Sequence, residues 1–321
     1  MTAIGGFLEL EAQRGSEGAW HAQAPALTSG RACLRAILEM TRPARVLVPL
    51  YICDAALEPM RRLNIPVEFY GVTQSLEPDR SDWPPDAAVL LVNYFDLKHR
   101  QASSTAALLG ERAVVDDTQA FFRRGRDGSF SFNSARKFFG VPDGAYAYGP
   151  GIDRIRTSGR NDAVPGEHLS TRRAGDVDRA YRQFQMAEAQ VSCELLSPSS
   201  CSQDVLAGVA YDDARAARRR NFIQLHDALG ALNTLPIDFS LDPDAAPLCY
   251  PFLPNRPSMH RALWQREIFV PRFWPEVTDR VDTGFAWERD LATRLLPLPI
   301  DHRYGCDDMQ RVGDAVREVC R

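Results

Sequence analysis

Three runs, Arg45 to Pro49, Ala87 to Asn93 and Ala113 to Val115, are apolar almost without a break, and they limit the folds open to this chain. A strand with no polar face must be covered on both sides, as in a parallel sheet wrapped by helices. Ile65 to Val72 supplies another strand, and Ala55 to Leu63 and Gln101 to Leu109 read as the connecting helices. Strand, helix and strand from Arg45 to Val72 form a βαβ unit, right-handed by the usual rule. The fold class expected is α/β with a mostly parallel central sheet.

The third run leads into acid. Asp116 stands at the carboxyl end of its strand, where open α/β sheets collect their ligands. Gln119 follows three residues on, and Lys137 lies 21 residues beyond Asp116. Lysine is scarce here: Lys and Arg together number 38, yet only Lys98 and Lys137 are lysines. Arginine keeps its charge, whereas a lysine amine can be deprotonated by burial and can attack an aldehyde, so a lysine in such a chain suggests that an amine is needed. Usage alone leaves a surface lysine equally open.

A carboxylate, an amide and an amine are the set that holds pyridoxal 5'-phosphate (PLP). The acid keeps the pyridine nitrogen protonated, the amide meets the phenolic oxygen and the lysine binds the aldehyde. Three further segments match in kind: A-V-V-D-D-T-Q-A from Ala113, F-S-F-N-S-A-R-K ending at Lys137, and F-F-G-V-P-D-G-A after it. Together they resemble the DegT/DnrJ/StrS-type sugar aminotransferases, PLP enzymes of fold type I.

The resemblance implies roles for individual residues. Asp116 matches the acid on the pyridine nitrogen, Gln119 the amide and Lys137 the cofactor-bearing lysine. Lys137 follows F-S-F one residue later than the common pattern, which leaves Ser131 and Ser134 both open as the phosphate-binding serine. Thr28-Ser29-Gly30-Arg31 opens a helix with Leu34, Ile37 and Leu38 on one face. Free N–H groups at such a start can bind an anion, although a simple N-cap explains the residues too. The family places a phosphate-cradling turn there, which implies Gly30, Arg31 and Ala32. In P-L-Y-I-C-D the ring-stacking position falls on Cys53, leaving Tyr51 as the stacking candidate against a core tyrosine. Tyr94, at the end of the Ala87 strand, is a further residue for the cleft.

Beyond Tyr148 the signals weaken. Ala174 to Cys193 has helical spacing, and Asp212 to Gly230 is a helix with Ala214, Phe222, Leu225 and Leu229 on its buried side. Arg215, Arg218, Arg219 and Arg220 on that helix read as a solvated face, with contact to a substrate phosphate as the alternative. Arg123-Arg124-Gly125 reads as a solvated turn. Strands at Leu248 to Leu253 and Ile268 to Val270, helices at Arg261 to Glu267 and Glu288 to Leu295, and a last helix capped by Asp307 and Gln310 follow. The organisation expected is a large PLP-binding domain over residues 1–207 and a small α+β domain over 208–321.

Composition bounds the partners. A net charge of -4 with both signs interspersed argues against nucleic acid, and no apolar run is long enough for a membrane span. Seven cysteines without a C-x-x-C pair, and no signal-peptide pattern, suggest free thiols in the cytoplasm. The resemblance implies a homodimer with shared active sites. It further implies transfer of an amino group from glutamate or a similar donor to a nucleotide-linked keto-sugar, for cell-surface polysaccharide or secondary metabolites. The alternative is a non-catalytic protein that binds PLP or a nucleotide-sugar in a regulatory or scaffolding role.

Overall fold

The apolar runs become strands sandwiched between helices, as the computed structural model of residues 3–16, 18–257, 259–281 and 283–321 shows. The first part runs β1 (Ile4–Gly5), β2 (Ala26–Leu27), α1 (Gly30–Thr41), β3 (Arg45–Pro49), α2 (Glu58–Leu63), β4 (Val67–Tyr70), β5 (Ala87–Val92), α3 (His99–Leu109), β6 (Ala113–Asp116), β7 (Phe130–Phe132) and β8 (Ala145–Tyr148). Four helices follow: α4 (Glu167–Arg173), α5 (Val177–Gln190), α6 (Ser200–Ala207) and α7 (Tyr211–Leu229). The chain ends with β9 (Cys249–Phe252), α8 (His260–Trp264), β10 (Ile268–Phe269), α9 (Ala286–Arg294), β11 (Leu296–Pro299) and α10 (Cys306–Cys320).

Seven strands form one sheet in the order β2-β8-β7-β6-β5-β3-β4. Neighbours from β4 to β7 are parallel, and β8 and β2 are added antiparallel. Alternate residues serve opposite layers: Val46, Val48 and Leu90 pack with Leu34, Ile37 and Leu38 of α1, whereas Leu47, Val89 and Leu91 pack with Ala102, Ala106 and Leu109 of α3. Two-sided burial is therefore why these strands read as unbroken apolar runs.

A second core joins α7 and α10 to β9 and β11 through Phe222, Leu225, Leu229, Phe252, Leu298, Val312 and Val316. The cap of the last helix is Gly305, two residues ahead of the expected one, with Asp308 accepting from the Gly305 N–H at 2.9 Å, while Gln310 bonds Asp314. The single helix expected from Ala174 to Cys193 begins only at Val177, after Gly175 turns the chain at φ +93°.

Two charged features differ from expectation because burial claims them. Arg123, read as part of a solvated turn, is buried between Asp96 (2.6 Å) and Asp242 (2.7 Å). Asp96 also accepts from the Ala246 N–H at 2.8 Å, so one carboxylate ties the end of β5 to the stretch before β9. In the basic run on α7, Arg220 is exposed and Arg215 and Arg219 are half-buried, but Arg218 is not on a solvated face. Arg218 falls four residues after Ala214 and four before Phe222, on the helix's buried side, and is 1% exposed. It donates to the carbonyls of Phe138 and Leu248 and lies over the Phe138 ring at 4.5 Å.

His21 is buried under β8, with Nε2 2.7 Å from the Phe121 carbonyl and Nδ1 2.5 Å from the Tyr148 hydroxyl. These partners suit the neutral ring with its proton on Nε2, and burial holds its pKa down at about 3. Its folded pKa is below the unfolded value of about 6.5, so its contribution is present above pH 6.5 and is lost as pH falls toward 3. The loss at pH 5 is about 2 kcal/mol, near 1.4 kcal/mol per pH unit. Urea unfolding at pH 6.5 and pH 5.0 is expected to show a drop smaller by about that amount in His21→Asn; an unchanged drop would mean that His21 is charged in the folded chain.

Candidate active site

At the carboxyl ends of β6 and β7 the chain leaves a cavity of about 470 Å³, closed on the far side by residues 271–274 and by the N-terminal arm at Gly5 to Leu8. Asp116, the last residue of β6, is buried at its base. Its carboxylate accepts from the Thr118 N–H at 2.8 Å. Burial raises the Asp116 pKa, opposed by the charge of Lys137 and by the bonds from Thr118. Lys137 ends a single 3-10 turn, Ala135–Lys137, that follows β7, and its Nζ donates to Thr118 Oγ1 at 2.9 Å. Acid and amine thus meet on one wall because β6 and β7 are parallel neighbours ending at the same edge. The other lysine, Lys98, is buried and paired with Glu77 at 2.9 Å.

Gln119 joins them. Its Oε1 accepts from the backbone N–H of Phe95 at 2.7 Å, which fixes the amide and leaves its NH2 group to donate to a ligand. Phe95 and Asp96 both adopt left-handed backbone, φ +61° and +64°, a strained pair at the strand's carboxyl end. Gly30 and Arg31 at the start of α1 and Ser134 before the lysine turn complete the wall. The approach at Gly30 is close: a Cβ there would stand 3.1 Å from Thr118 Cγ2 and 3.4 Å from the Phe132 ring, so a side chain at this position would crowd both.

Three expected residues lie elsewhere. Ala32 is off the wall, and its N–H is taken by Ser29 Oγ at 3.1 Å, the N-cap bond of α1. Ser131 alternates with Phe132 along β7, so where Phe132 faces the cavity Ser131 is turned away. Tyr51 is wholly buried in the core, stacked on Tyr94 and edge-on to Trp274, and cannot lie against a ring in the cavity. Tyr94 is buried beside it, its hydroxyl donating to the Tyr51 carbonyl at 2.7 Å.

Cys53 occupies the wall instead. Burial raises its thiol pKa, with Lys137 pulling it down and Asp116 pushing it up, so it lies within reach of both charges. Phe273 and Trp274, stacked on each other, supply the aromatic surface from far along the chain. No local pattern marks that pair. Thr118 sits inside the D-D-T-Q segment, and Arg218 on a helical stripe, so both carried a readable signal.

No protein-family model matches this sequence, and no curated protein matches it in a sequence comparison. Solved structures match across nearly the whole chain. Sugar aminotransferase CalS13 from Micromonospora echinospora is 17% identical with TM-score 0.63, over 91% of this chain and 86% of that one. Aminotransferase TlmJ from Streptoalloteichus hindustanus is 15% identical with TM-score 0.65, over 92% and 85%. Spr1654 from Streptococcus pneumoniae in its PLP form is 11% identical with TM-score 0.65, over 98% and 93%. The fold is therefore fold type I, that of the PLP-dependent aminotransferases, as the sequence implied.

Proposed function

We propose that this chain is a PLP-dependent aminotransferase that moves an amino group from glutamate or a similar donor to the keto group of a nucleotide-linked sugar. The observation that carries the reading is the convergence of the Asp116 carboxylate, the Gln119 NH2 group and the Lys137 amine on one cavity wall. The residues fit PLP. Asp116 is a buried carboxylate at the cavity base that would be stabilised by a cationic ring nitrogen, and the first turn of α1 comes close to Thr118 at Gly30. The named solved structures, a sugar aminotransferase and a PLP form among them, support the same reading.

When bound, the cofactor supplies an electron sink beside the substrate carbon. The protein's own groups do the rest. Asp116 would keep a proton on the ring nitrogen, and the Gln119 NH2 group would donate to the phenolic oxygen. Lys137 would hold the aldehyde end, and its Nζ is the group that would take a proton from the substrate carbon and return it elsewhere. Thr118 Oγ1 accepts from Nζ at 2.9 Å and so fixes where the amine sits. Phe7, Phe139, Phe184, Phe273 and Trp274 add apolar surface to a cavity that is open to solvent at Lys137. A cytoplasmic homodimer and a role in polysaccharide or secondary-metabolite synthesis belong to the same proposal. Among the described residues no helix is long and apolar enough to cross a membrane, and all seven cysteines are free thiols.

The test is a visible spectrum of the purified protein with PLP, before and after glutamate. A yellow band that borohydride fixes on Lys137, and that glutamate bleaches, is the expected result. A spectrum no different from free PLP would favour the non-catalytic reading.

A further inference from the structure

Ser29, Gly30, Arg31, Ser134, Arg136, Glu188 and Val191 share one end of the cavity. That end is rich in donors: the first N–H groups of α1, the hydroxyl of Ser134 and two guanidinium groups. Arg31 is neutralised by Glu58 at 2.9 Å and also donates to the Val191 carbonyl at 2.6 Å. Arg136 is largely buried, and Glu188, from the last turn of α5, is the one carboxylate in ion-pair contact with it among the described residues. Burial and the like charge of Arg31 hold the Arg136 pKa down at about 10, with the charge of Asp143 opposing them. The chain just after Glu188 is laid over the start of α1, with Ser29 Oγ donating to the Ser192 carbonyl at 2.9 Å.

The geometry points to Arg136 as a phosphate-binding residue of this cavity, and to Glu188 as a carboxylate of the chain itself that holds the phosphate's place until the anion arrives. A phosphate brings two negative charges where Glu188 brings one, and it can accept from Arg136, Ser134 and the α1 N–H groups together. Glu188 is 37% exposed and has water on one side, so its carboxylate leaves the cavity by rotating about its own side chain. The aminotransferase reading identifies the phosphate as that of PLP; the anion site itself depends only on the groups just named. Arg136 precedes Lys137 directly, so a phosphate held there fixes the aldehyde end of the same molecule near Nζ.

The test compares wild type, Glu188→Gln, Arg136→Ala and the double variant. Each is titrated with PLP and with pyridoxal by absorbance, and with inorganic phosphate by calorimetry. Glu188→Gln is expected to tighten PLP and phosphate about tenfold and to leave pyridoxal, which has no phosphate, unchanged. Arg136→Ala is expected to weaken PLP and phosphate about tenfold or more, and to abolish the gain from Glu188→Gln. Glu188→Gln alters a half-exposed side chain and keeps the comparison meaningful even if Arg136→Ala folds poorly. Unchanged PLP and phosphate affinity in Glu188→Gln, or a pyridoxal shift equal to the PLP shift, would reduce the pair to a structural ion pair and overturn the inference. If wild type traps neither PLP nor pyridoxal on Lys137 while phosphate still follows both substitutions, the anion site stands and the aminotransferase reading falls.

Discussion

Replacing Lys137 by alanine is expected to abolish borohydride-fixed PLP and to lower amino transfer by about 10⁴ or more, because in the proposed reading one residue both carries the aldehyde and moves the proton. The substitution removes a single hydrogen bond, to Thr118, from a side chain that faces the cavity, so the fold should be affected little. A thermal melt of the protein without PLP, within a few degrees of wild type, would separate lost chemistry from lost structure. Small primary amines added to the variant should restore part of the proton transfer. Retention of the trapped cofactor by Lys137→Ala would move the chemistry to some other amine; Lys98, tied to Glu77, offers none to this cavity.

Asp116→Asn keeps the size of the side chain and removes its charge. The rate is expected to fall about 10² to 10³-fold, in the range seen when one electrostatic contact to a developing charge is removed. Stability should move the other way. Burial raises the folded pKa of Asp116 above its unfolded value, so its contribution is present at low pH and is lost as pH rises through the folded pKa. The asparagine variant escapes that loss, and without PLP it should unfold at or above the wild-type midpoint at pH 7, with the gap closing toward pH 4. A variant that is both slower and less stable at pH 7 would show that the Asp116 charge supports the fold itself.

The parts of the molecule legible in the sequence are those whose physics is local. Arg45 to Pro49 is a strand with those bounds, because two-sided burial leaves an apolar run with sharp ends. Asp116, Gln119 and Lys137 could be read together because parallel neighbours β6 and β7 carry them to one edge within a short span of chain. Ala32 and Ser131 were misplaced by the direction of one bond and one side chain, which helix capping and strand alternation decide only once the register is set. Tyr51 failed for a longer-range reason: Tyr94 and Trp274 hold it in the core, and Trp274 is more than 200 residues away in sequence. Glu188 and Arg136 are 52 positions apart, and the helical spacing that revealed α5 says nothing of what its last turn touches.

The N-terminal arm has a consequence for how the molecule comes into being. Ile4 and Gly5 pair with Ile268 and Phe269, Glu11 donates its N–H to the Gly140 carbonyl and Gly15 donates to that of Gly208. Each contact waits for residues made much later, so this arm is ordered only after they exist. Loop-closure entropy makes such distant contacts slow to form. Until β10 is made, a nascent chain has the strand edge that bears Asp116 and Lys137 but lacks the wall from Gly5 to Leu8. A cofactor that meets the unfinished chain therefore finds its lysine before it finds its enclosure.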